Sequence, residues 1–363
     1  MRYALILAGG SGTRLWPMSR RDLPKQLIPF IGGKCLLEIA YQRLDSLVPE
    51  SRRFICAGDA HREAIGRRIP ELSGEHFIGE PTGRDTLAAI ALSMAVISLR
   101  DPDAVVAVLT ADHLIEPVEK FRAIVEHAFS LAEEGDSMLL TFGTAPTRPA
   151  VGFGYLELGD TLPNGSRRVR RFREKPDAET ANRYFDGGPE SFLWNSGMFV
   201  WKASTFRDCL LRYEPELHNR IDALATEWGS PSSYESASLA YSSIKKISVD
   251  FAIMEPASLD PHVTVAALPM PISWTDLGSW TEYGRTIEPD GSGNAADGPS
   301  LFLDSERNVA VSDDPKHLIT TIGCDDLIIV HTANSTLVCA RGEVERIKEL
   351  HGLVSEAHGE RYL

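Results

Sequence analysis

The sequence predicts an α/β protein with a mostly parallel sheet that is covered by helices on both faces. Three observations support this prediction. Strand-length apolar runs alternate with segments of helical periodicity in the first half, a glycine cluster follows the first run, and the pattern changes after Thr144. Alternating strands and helices are typical of Rossmann-like sheets, which bind ligands at the carboxyl ends of their strands.

The strand-like runs are short and rich in β-branched or aromatic residues. They are Tyr3–Leu7, Phe54–Ala57, His76–Ile78, Val105–Leu109 and Met138–Phe142. The segments between them repeat apolar residues at the spacing of a helix. These helical segments are Leu36–Leu47, His61–Arg68, Thr86–Leu99 and Val118–Ala132.

The second half of the chain has a different composition. Glycine- and aromatic-rich stretches such as VGFGYLELGD and FLWNSGMFVW predict strands and loops of a second lobe. Residues 287–300 concentrate Gly, Pro, Asp and Ser, which predicts a linker, and short apolar runs beyond it predict a small all-β tail. The predicted organisation is a main domain over residues 1–286, a linker over 287–300 and a small C-terminal β domain over 301–363.

Composition and charge restrict the function. The formal net charge of −14 argues against a nucleic-acid partner bound through its phosphates. The five cysteines are scattered without metal-ligand spacing, which favours free buried thiols in a reducing compartment. A predicted strand begins near the N-terminus and no apolar run is long enough to span a bilayer, so we expect a cytoplasmic protein without a membrane partner.

The first predicted strand leads into a glycine-rich, positively charged loop. Its glycines, Gly9, Gly10 and Gly12, would let backbone N–H groups approach an anion closely. A dinucleotide-binding loop has a third glycine where this chain has Arg14, and the G-K-[ST] of a Walker loop is absent. Arg14, Lys25 and two further arginines instead supply charge suited to a triphosphate. The alternative, a solvated basic loop, fits the interleaved apolar residues less well.

The stretch LAGGSGTRLWPMSRRDLPKQ, residues 7–26, resembles the signature of sugar-1-phosphate nucleotidyltransferases. Within that family, RLWPMSR and PKQ are similar to the mannose-1-phosphate guanylyltransferases, or GDP-mannose pyrophosphorylases, of the short form. The resemblance continues in order through GEPTGRDT, ADH, GFGY, REKP, WNSGMFVW, SVDFAIME and WTDLGSW. It implies a nucleotidyltransferase fold with a left-handed β-helix-like tail.

The activity that the resemblance implies is transfer of GMP from GTP to mannose 1-phosphate, with Mg²⁺ as cofactor. The attacking sugar phosphate is already an anion, so the reaction needs positioning and charge neutralisation rather than a general base. By resemblance, Arg14 and Lys25 bind the phosphates together with Thr13 and the loop glycines. Asp112 and Asp276 match the motifs where the family places its metal ligands, whereas we expect a structural role for His113.

Recognition of the base and the sugar is also assigned by resemblance. Glu80 and Asp85 follow a predicted strand where the base should bind, and a carboxylate suits the two adjacent donors of guanine. Asp85 has the alternative role of capping the helix that follows. We expect the sugar phosphate to contact Gly154, Tyr155, Glu174, Lys175 and Asn195.

Some alternatives remain open at this point. A different sugar 1-phosphate or nucleotide is possible, as is a non-catalytic paralogue that binds sugar nucleotides. The chain has Asp85 where the family usually has Asn, and Thr110 where it usually has Pro. We expect a homodimer, no phosphomannose isomerase activity, and no catalytic group from about residue 300 onward.

Overall fold

The computed structural model of the chain describes residues 1–10, 12–135, 137–228 and 234–363. Two compact units divide the chain. The larger unit comprises Met1–Gly9, Glu38–Ala111 and Ile115–Trp274. The smaller unit comprises Gly10–Leu37, Asp112–Leu114 and Thr275–Leu363. The glycine-rich loop thus belongs mostly to the same unit as the C-terminal residues, while the linear domain boundaries at residues 286 and 301 stay a prediction.

The elements are numbered here in chain order. The strands are β1 (Arg2–Leu7), β2 (Arg53–Gly58), β3 (Phe77–Glu80), β4 (Val105–Thr110), β5 (His113–Glu116), β6 (Met138–Thr144), β7 (Tyr155–Thr161), β8 (Arg167–Arg173), β9 (Phe192–Lys202), β10 (Thr264–Pro269), β11 (Ser273–Asp276), β12 (Ala295–Asp297), β13 (Ser300–Leu303), β14 (Val309–Ser312), β15 (Ile319–Ile322), β16 (Leu327–His331) and β17 (Thr336–Ala340). The helices are α1 (Leu36–Gln42), α2 (Arg62–Arg68), α3 (Asp85–Arg100), α4 (Val118–Glu134), α5 (Ala178–Asp186), α6 (Ala203–Tyr213), α7 (Pro215–Glu227), α8 (Tyr234–Ser242), α9 (Glu255–Leu259), α10 (Trp280–Gly284) and α11 (Ile347–His358).

The larger unit is built on a nine-stranded sheet in the order β3-β2-β1-β4-β9-β6-β10-β8-β7. β1 lies parallel to β2 and β4, with Ala4 opposite Arg53 and Ile6 opposite Leu109. β9 pairs antiparallel with both β4 and β6. The α/β class predicted from the alternation is confirmed, and the second half of the chain adds the antiparallel strands.

The pattern of buried residues explains why these segments of the larger unit form strands or helices. The central residues of β1 and β4 are buried on both faces, as expected for strands covered by helices on each side. α3 is apolar around almost its whole circumference and is buried along most of its length, in a core shared with the sheet. The helix predicted over Leu36–Leu47 is shorter than expected and ends at Gln42.

The smaller unit contains stacked parallel strands. β12, β14 and β16 pair in parallel, β17 closes this sheet in the antiparallel direction, and β13 pairs in parallel with β15. Such stacking of short parallel strands is the arrangement of a β-helix, so the predicted strand-rich tail is confirmed. Its apolar side chains share one core with Leu15, Trp16 and Trp280.

The prediction that the tail is all β is wrong, because α11 follows β17. Ile347, Leu350 and Val354 recur at helical spacing in this segment. Ile347 and Val354 pack into the core of the smaller unit. The sequence prediction extended the strands that precede α11 over this amphipathic segment.

The cysteines agree in part with the predicted free buried thiols. All five cysteines carry thiols rather than disulfides; Cys35, Cys56 and Cys209 are buried, and Cys324 and Cys339 are partly exposed. Among the described residues, every helix is too short or too polar to cross a membrane.

Candidate active site

Most of the residues predicted to bind phosphate or metal lie in the smaller unit. We call Arg14, Lys25, Asp112, His113 and Asp276 the charged centre. Lys25 Nζ donates to Asp112 Oδ2 at 2.5 Å, and Leu277 N–H donates to the Asp112 carbonyl at 3.0 Å. The second bond connects the backbone beside Asp276 to Asp112, although the two acids are far apart in sequence.

The glycine-rich loop reaches this centre through a close backbone approach. Gly10 and Gly12 have φ of 103° and 59°, a region that favours glycine. A Cβ on Gly12 would collide with Ser19 and would lie 2.9 Å from Lys25 Cβ. Only glycine therefore lets the chain pass so close to Lys25 and enter the turn that begins at Thr13. Gly9 belongs to the larger unit.

The charges of the centre alter one another's protonation. Burial alone would raise the pKa of Asp112, but the Lys25 ammonium and His113 outweigh it and lower that pKa to about 2. Burial works against the Lys25 charge, yet Asp112 and Asp276 hold its pKa above the ordinary value. Burial and the charge of Asp112 raise the pKa of Asp276. Lys25 thus compensates the charge of Asp112, and a further cation would stabilise the charged form of Asp276.

Two carboxylates and an imidazole of the centre lie close enough to share an ion. One ligand atom from each of Asp112, His113 and Asp276 lies within 4.8 Å of the others. Asp276 Oδ1 is buried and has no hydrogen-bond partner among the described residues. A buried carboxylate oxygen without a partner fits a cation ligand, and oxygen donors suit Mg²⁺. His113 is 5% exposed, and its nitrogen suits Mg²⁺ less well than the two acids do.

Arg14 lies beside Asp276 and has a carboxylate partner from the C-terminal segment. A Cβ on Gly278 would lie 3.2 Å from Arg14 Nη2 and 3.4 Å from Asp276 Oδ1. Arg14 Nη1 donates to both carboxylate oxygens of Glu345, at 3.2 and 3.1 Å. Sequence reasoning missed Glu345, since the tail was expected to contribute no group.

The larger unit places Glu80 at the carboxyl end of β3. Its side chain is buried, and Tyr241 O–H donates to Glu80 Oε1 at 2.7 Å. Burial raises the pKa of Glu80, and the bond from Tyr241 opposes that rise. The other oxygen, Oε2, faces Gly9, where an added Cβ would lie 3.7 Å away. The Glu80 carboxylate thus accepts from Tyr241 at Oε1 and also from the Arg84 backbone, and its Oε2 is directed toward the loop glycine.

Asp85 is the first residue of α3 and has a structural task. Its backbone φ is 65°, in the left-handed region, and its Oδ1 accepts from Thr86 N–H at 2.8 Å. Asn and Asp are the non-glycine residues that adopt this conformation most readily. This geometry explains why Asp is compatible with a position where the family usually has Asn, and it gives the Asp85 side chain a local backbone partner at the start of α3.

A second polar group of the larger unit contains Glu174, Lys175, Asn195 and Asp250, which we call the acid cluster. Lys175 Nζ lies 3.0 Å from Glu174 Oε1, and Asn195 Nδ2 donates to Asp250 Oδ1 at 3.0 Å. A Cβ on Gly154 would lie 2.5 Å from Glu174 Oε2, so the missing side chain leaves room for this carboxylate.

Asp250 was not predicted as a site residue. It begins a single π-helical turn, Asp250–Met254, and the only signal for it was the SVDFAIME motif of the resemblance. Burial, followed by the charge of Glu174, raises the pKa of Asp250 to about 7. Thr141 O–H donates to Asn195 Oδ1 at 2.8 Å, so the Asn195 amide is oriented to donate to Asp250.

The oxygen and the ring of Tyr155 contact residues outside the acid cluster. Its side chain is fully buried, its oxygen accepts from Ala150 N–H at 3.0 Å, and its ring packs against Tyr184. This placement favours a packing role for Tyr155.

The chain is similar to proteins of known families along almost its whole length. A model of the Nucleotidyl transferase family matches residues 3–290. A model of the MannoseP isomerase/GMP-like beta-helix domain matches residues 298–352.

Individual relatives share about a third of the sequence. The chain is 33% identical over 359 residues to the Xanthan biosynthesis protein XanB of Xanthomonas campestris, which covers 97% of this chain and 73% of that protein. It is 32% identical over 360 residues to a mannose-1-phosphate guanylyltransferase of Escherichia coli K12, with coverage of 96% and 72%. A crystal structure described as mannose-1-phosphate geranyltransferase from Thermus thermophilus is 29% identical, superposes with a TM-score of 0.84, and covers 98% of this chain and 99% of that one.

Proposed function

The chain belongs to the nucleotidyl transferase family, and from this premise we propose that it transfers GMP from GTP to mannose 1-phosphate, with Mg²⁺ as cofactor. The observation that carries the proposal is the charged centre, where Asp112 lies 2.5 Å from Lys25 and within ligand distance of Asp276. Two acids and a buried lysine are the groups that phosphoryl chemistry needs. The names of the relatives support mannose 1-phosphate as the acceptor.

The reaction exchanges one phosphorus–oxygen bond for another. A phosphate oxygen of mannose 1-phosphate forms a bond to the α-phosphorus of GTP. The bond from the α-phosphorus to the bridging oxygen breaks, and pyrophosphate leaves with the electron pair. No proton has to be removed from the nucleophile, so the described site needs no catalytic base.

The charged centre neutralises the phosphates. Lys25, with its pKa held above the ordinary value, keeps a fixed positive charge for the triphosphate, and Arg14 adds a planar donor for the departing pyrophosphate. Asp112 and Asp276 would hold Mg²⁺, which supplies charge neutralisation at the reacting phosphate. The backbone of Gly10, Gly12 and Thr13 would lie along the phosphates.

Glu80 carries the proposed choice of base. Guanine presents two adjacent N–H donors, N1–H and N2–H₂, to a carboxylate, whereas uracil and thymine present one donor between two carbonyls. The Glu80 oxygen that is not bonded to Tyr241 remains directed toward the loop glycine Gly9. Since Asp85 is engaged at the start of α3, we assign it a supporting role in the base site.

The acid cluster carries the proposed choice of sugar. Glu174 and Asp250 are acceptors for sugar hydroxyls, and Lys175 is a partner for the sugar's phosphate. Asn195 already accepts from Thr141 and donates to Asp250, so its main task is to orient Asp250. This division differs from the sequence expectation, in which Asn195 itself contacts the sugar phosphate.

The experiment that tests the proposal is a pyrophosphate-release assay across GTP, ATP, UTP and dTTP, each with mannose, glucose and galactose 1-phosphates. We expect the highest kcat/KM for GTP with mannose 1-phosphate, and no release when Mg²⁺ is chelated. Equal kcat/KM for GTP and UTP would refute guanylyl transfer. A preference for another sugar phosphate would refute the acceptor alone.

A further inference from the structure

The C-terminal segment places a carboxylate on a cation assigned to the nucleotide phosphates. Glu345 lies in the helical turn Arg341–Arg346 that follows β17. Both of its oxygens accept from Arg14 Nη1, at 3.2 and 3.1 Å. A carboxylate thus occupies part of the guanidinium that the triphosphate would use.

Other contacts join the C-terminal segment to the residues that follow the glycine-rich loop. Trp16 Nε1 donates to the Tyr362 carbonyl at 2.7 Å, and Arg21 Nη1 lies 2.5 Å from Glu360 Oε2. Leu15, the residue after Arg14, is fully buried in the core that also contains Val344, next to Glu345. Packing on both sides therefore keeps Arg14 and Glu345 near each other.

We propose that Glu345 is a built-in competitor of the nucleotide phosphates for Arg14. The inference rests on the proposed function, in which Arg14 binds the triphosphate. Carboxylates and phosphates accept from the same N–H donors of a guanidinium, so an incoming phosphate that uses Arg14 Nη1 must displace Glu345. When pyrophosphate leaves, Glu345 replaces it, and the guanidinium exchanges one anion for another.

The size of the effect follows from exposure. The side chains of Arg14 and Glu345 are 43% and 69% exposed, so a displaced Glu345 regains water readily. An exposed ion pair of this kind changes an equilibrium by roughly twofold to fivefold. Lys25 differs from Arg14 in this respect. Its partner Asp112 is itself a proposed Mg²⁺ ligand, so the charge of Asp112 is still paired with a cation when Lys25 binds phosphate.

The test is calorimetric binding of GTP, with MgCl₂ and without sugar phosphate, to the full chain and its variants. Glu345→Gln should bind GTP roughly twofold to fivefold more tightly than the unmodified protein. The matched control is Glu343→Gln, since Glu343 lies in the same turn and pairs with Arg346 at 3.0 Å. This control should leave GTP affinity unchanged. In an Arg14→Ala background, Glu345→Gln should have no effect.

Several outcomes would overturn the inference. Unchanged affinity in Glu345→Gln would mean that no competition occurs, and weaker affinity would make Glu345 a residue that orients Arg14 for binding. A gain that persists in the Arg14→Ala background, or that Glu343→Gln reproduces, would assign the effect to overall charge. If the unmodified protein binds no GTP at all, the proposed function fails together with this inference; in the other cases the proposed function stands.

Discussion

The charged centre of the smaller unit and the acid cluster of the larger unit each contain an aspartate with a shifted pKa, and the shifts of these two aspartates have opposite directions. In the charged centre, Lys25 outweighs burial and holds the pKa of Asp112 at about 2. In the acid cluster, burial and the charge of Glu174 raise the pKa of Asp250 to about 7. The same residue type is thus a fixed anion in one place and a titrating acceptor in the other. This difference matches the proposed division between phosphate transfer and sugar recognition.

The largest effect is expected for the acids of the charged centre. Asp112→Asn and Asp276→Asn should each lower kcat by about a thousandfold or more, since charge neutralisation by the cation contributes several kcal/mol at the transition state. Steady-state turnover at saturating substrates and Mg²⁺ measures this loss, and circular dichroism checks that each variant stays folded. Near-normal Mg²⁺-dependent turnover would remove the altered acid from the metal site.

Replacement of the two cations of the charged centre should lower kcat by different factors. Lys25 is 12% exposed and Arg14 43% exposed, so Lys25 interacts with phosphate in the drier environment. We expect Lys25→Ala to lower kcat by about a hundredfold and Arg14→Ala by about tenfold, each with weaker GTP binding. Kinetics with GTP and with mannose 1-phosphate varied in turn provides the measurement. A change confined to the KM of mannose 1-phosphate would reverse the assignment of the two substrates.

Within the larger unit, Glu80→Gln should reduce selectivity rather than turnover. A carboxylate that accepts two donors contributes about 1–3 kcal/mol to base discrimination. The ratio of kcat/KM for GTP to that for UTP should therefore fall by roughly fivefold to a hundredfold. Glu75→Gln, at an exposed acid paired with Arg100, is the matched control and should keep the ratio. An unchanged ratio in Glu80→Gln would exclude Glu80 from base recognition.

The smallest effect is expected for Asp85→Asn. Asparagine adopts the left-handed backbone at this position and also accepts from Thr86 N–H, so both kinetics and melting temperature should stay close to the original. Asp85→Ala should lower the melting temperature by about 2–4 °C, because alanine costs about 1 kcal/mol or more in this conformation. A changed GTP preference in Asp85→Asn would show that Asp85 acts on the base directly.

The parts of the fold with regular patterns could be predicted from the sequence. Alternating apolar runs indicated the strands and helices of the first half. Asp112 follows one of these runs at the edge where such sheets bind ligands, but the family resemblance was needed to assign it as a metal ligand. Asp276 required the family resemblance, since a single Asp in a turn-like motif has several common uses.

Other features leave no local signal. Burial, followed by the charge of Glu174, raises the pKa of Asp250, and both causes arise only when the chain folds, because Glu174 is far away in the sequence. The contact of Arg14 with Glu345 joins residues 331 positions apart, and surface ion pairs have no sequence pattern. α11 did have a helical pattern, but it followed a series of short strands and was included with them.

The most direct test of the division between the two regions compares Asp276→Asn with Asp250→Asn in kinetics for mannose 1-phosphate between about pH 6 and pH 8. Asp250 is ionised above its pKa of about 7, so in the unmodified enzyme the KM should rise as the pH falls through that value. We predict that Asp276→Asn loses kcat at every pH, while Asp250→Asn keeps its kcat within a few-fold. At pH 8, the KM of Asp250→Asn for mannose 1-phosphate should be roughly tenfold higher than that of the unmodified protein. Between pH 6 and pH 8, this KM should change only as far as ionisation of the substrate itself requires. A loss of kcat in Asp250→Asn as large as that in Asp276→Asn, or an unchanged pH dependence of its KM, would contradict the account.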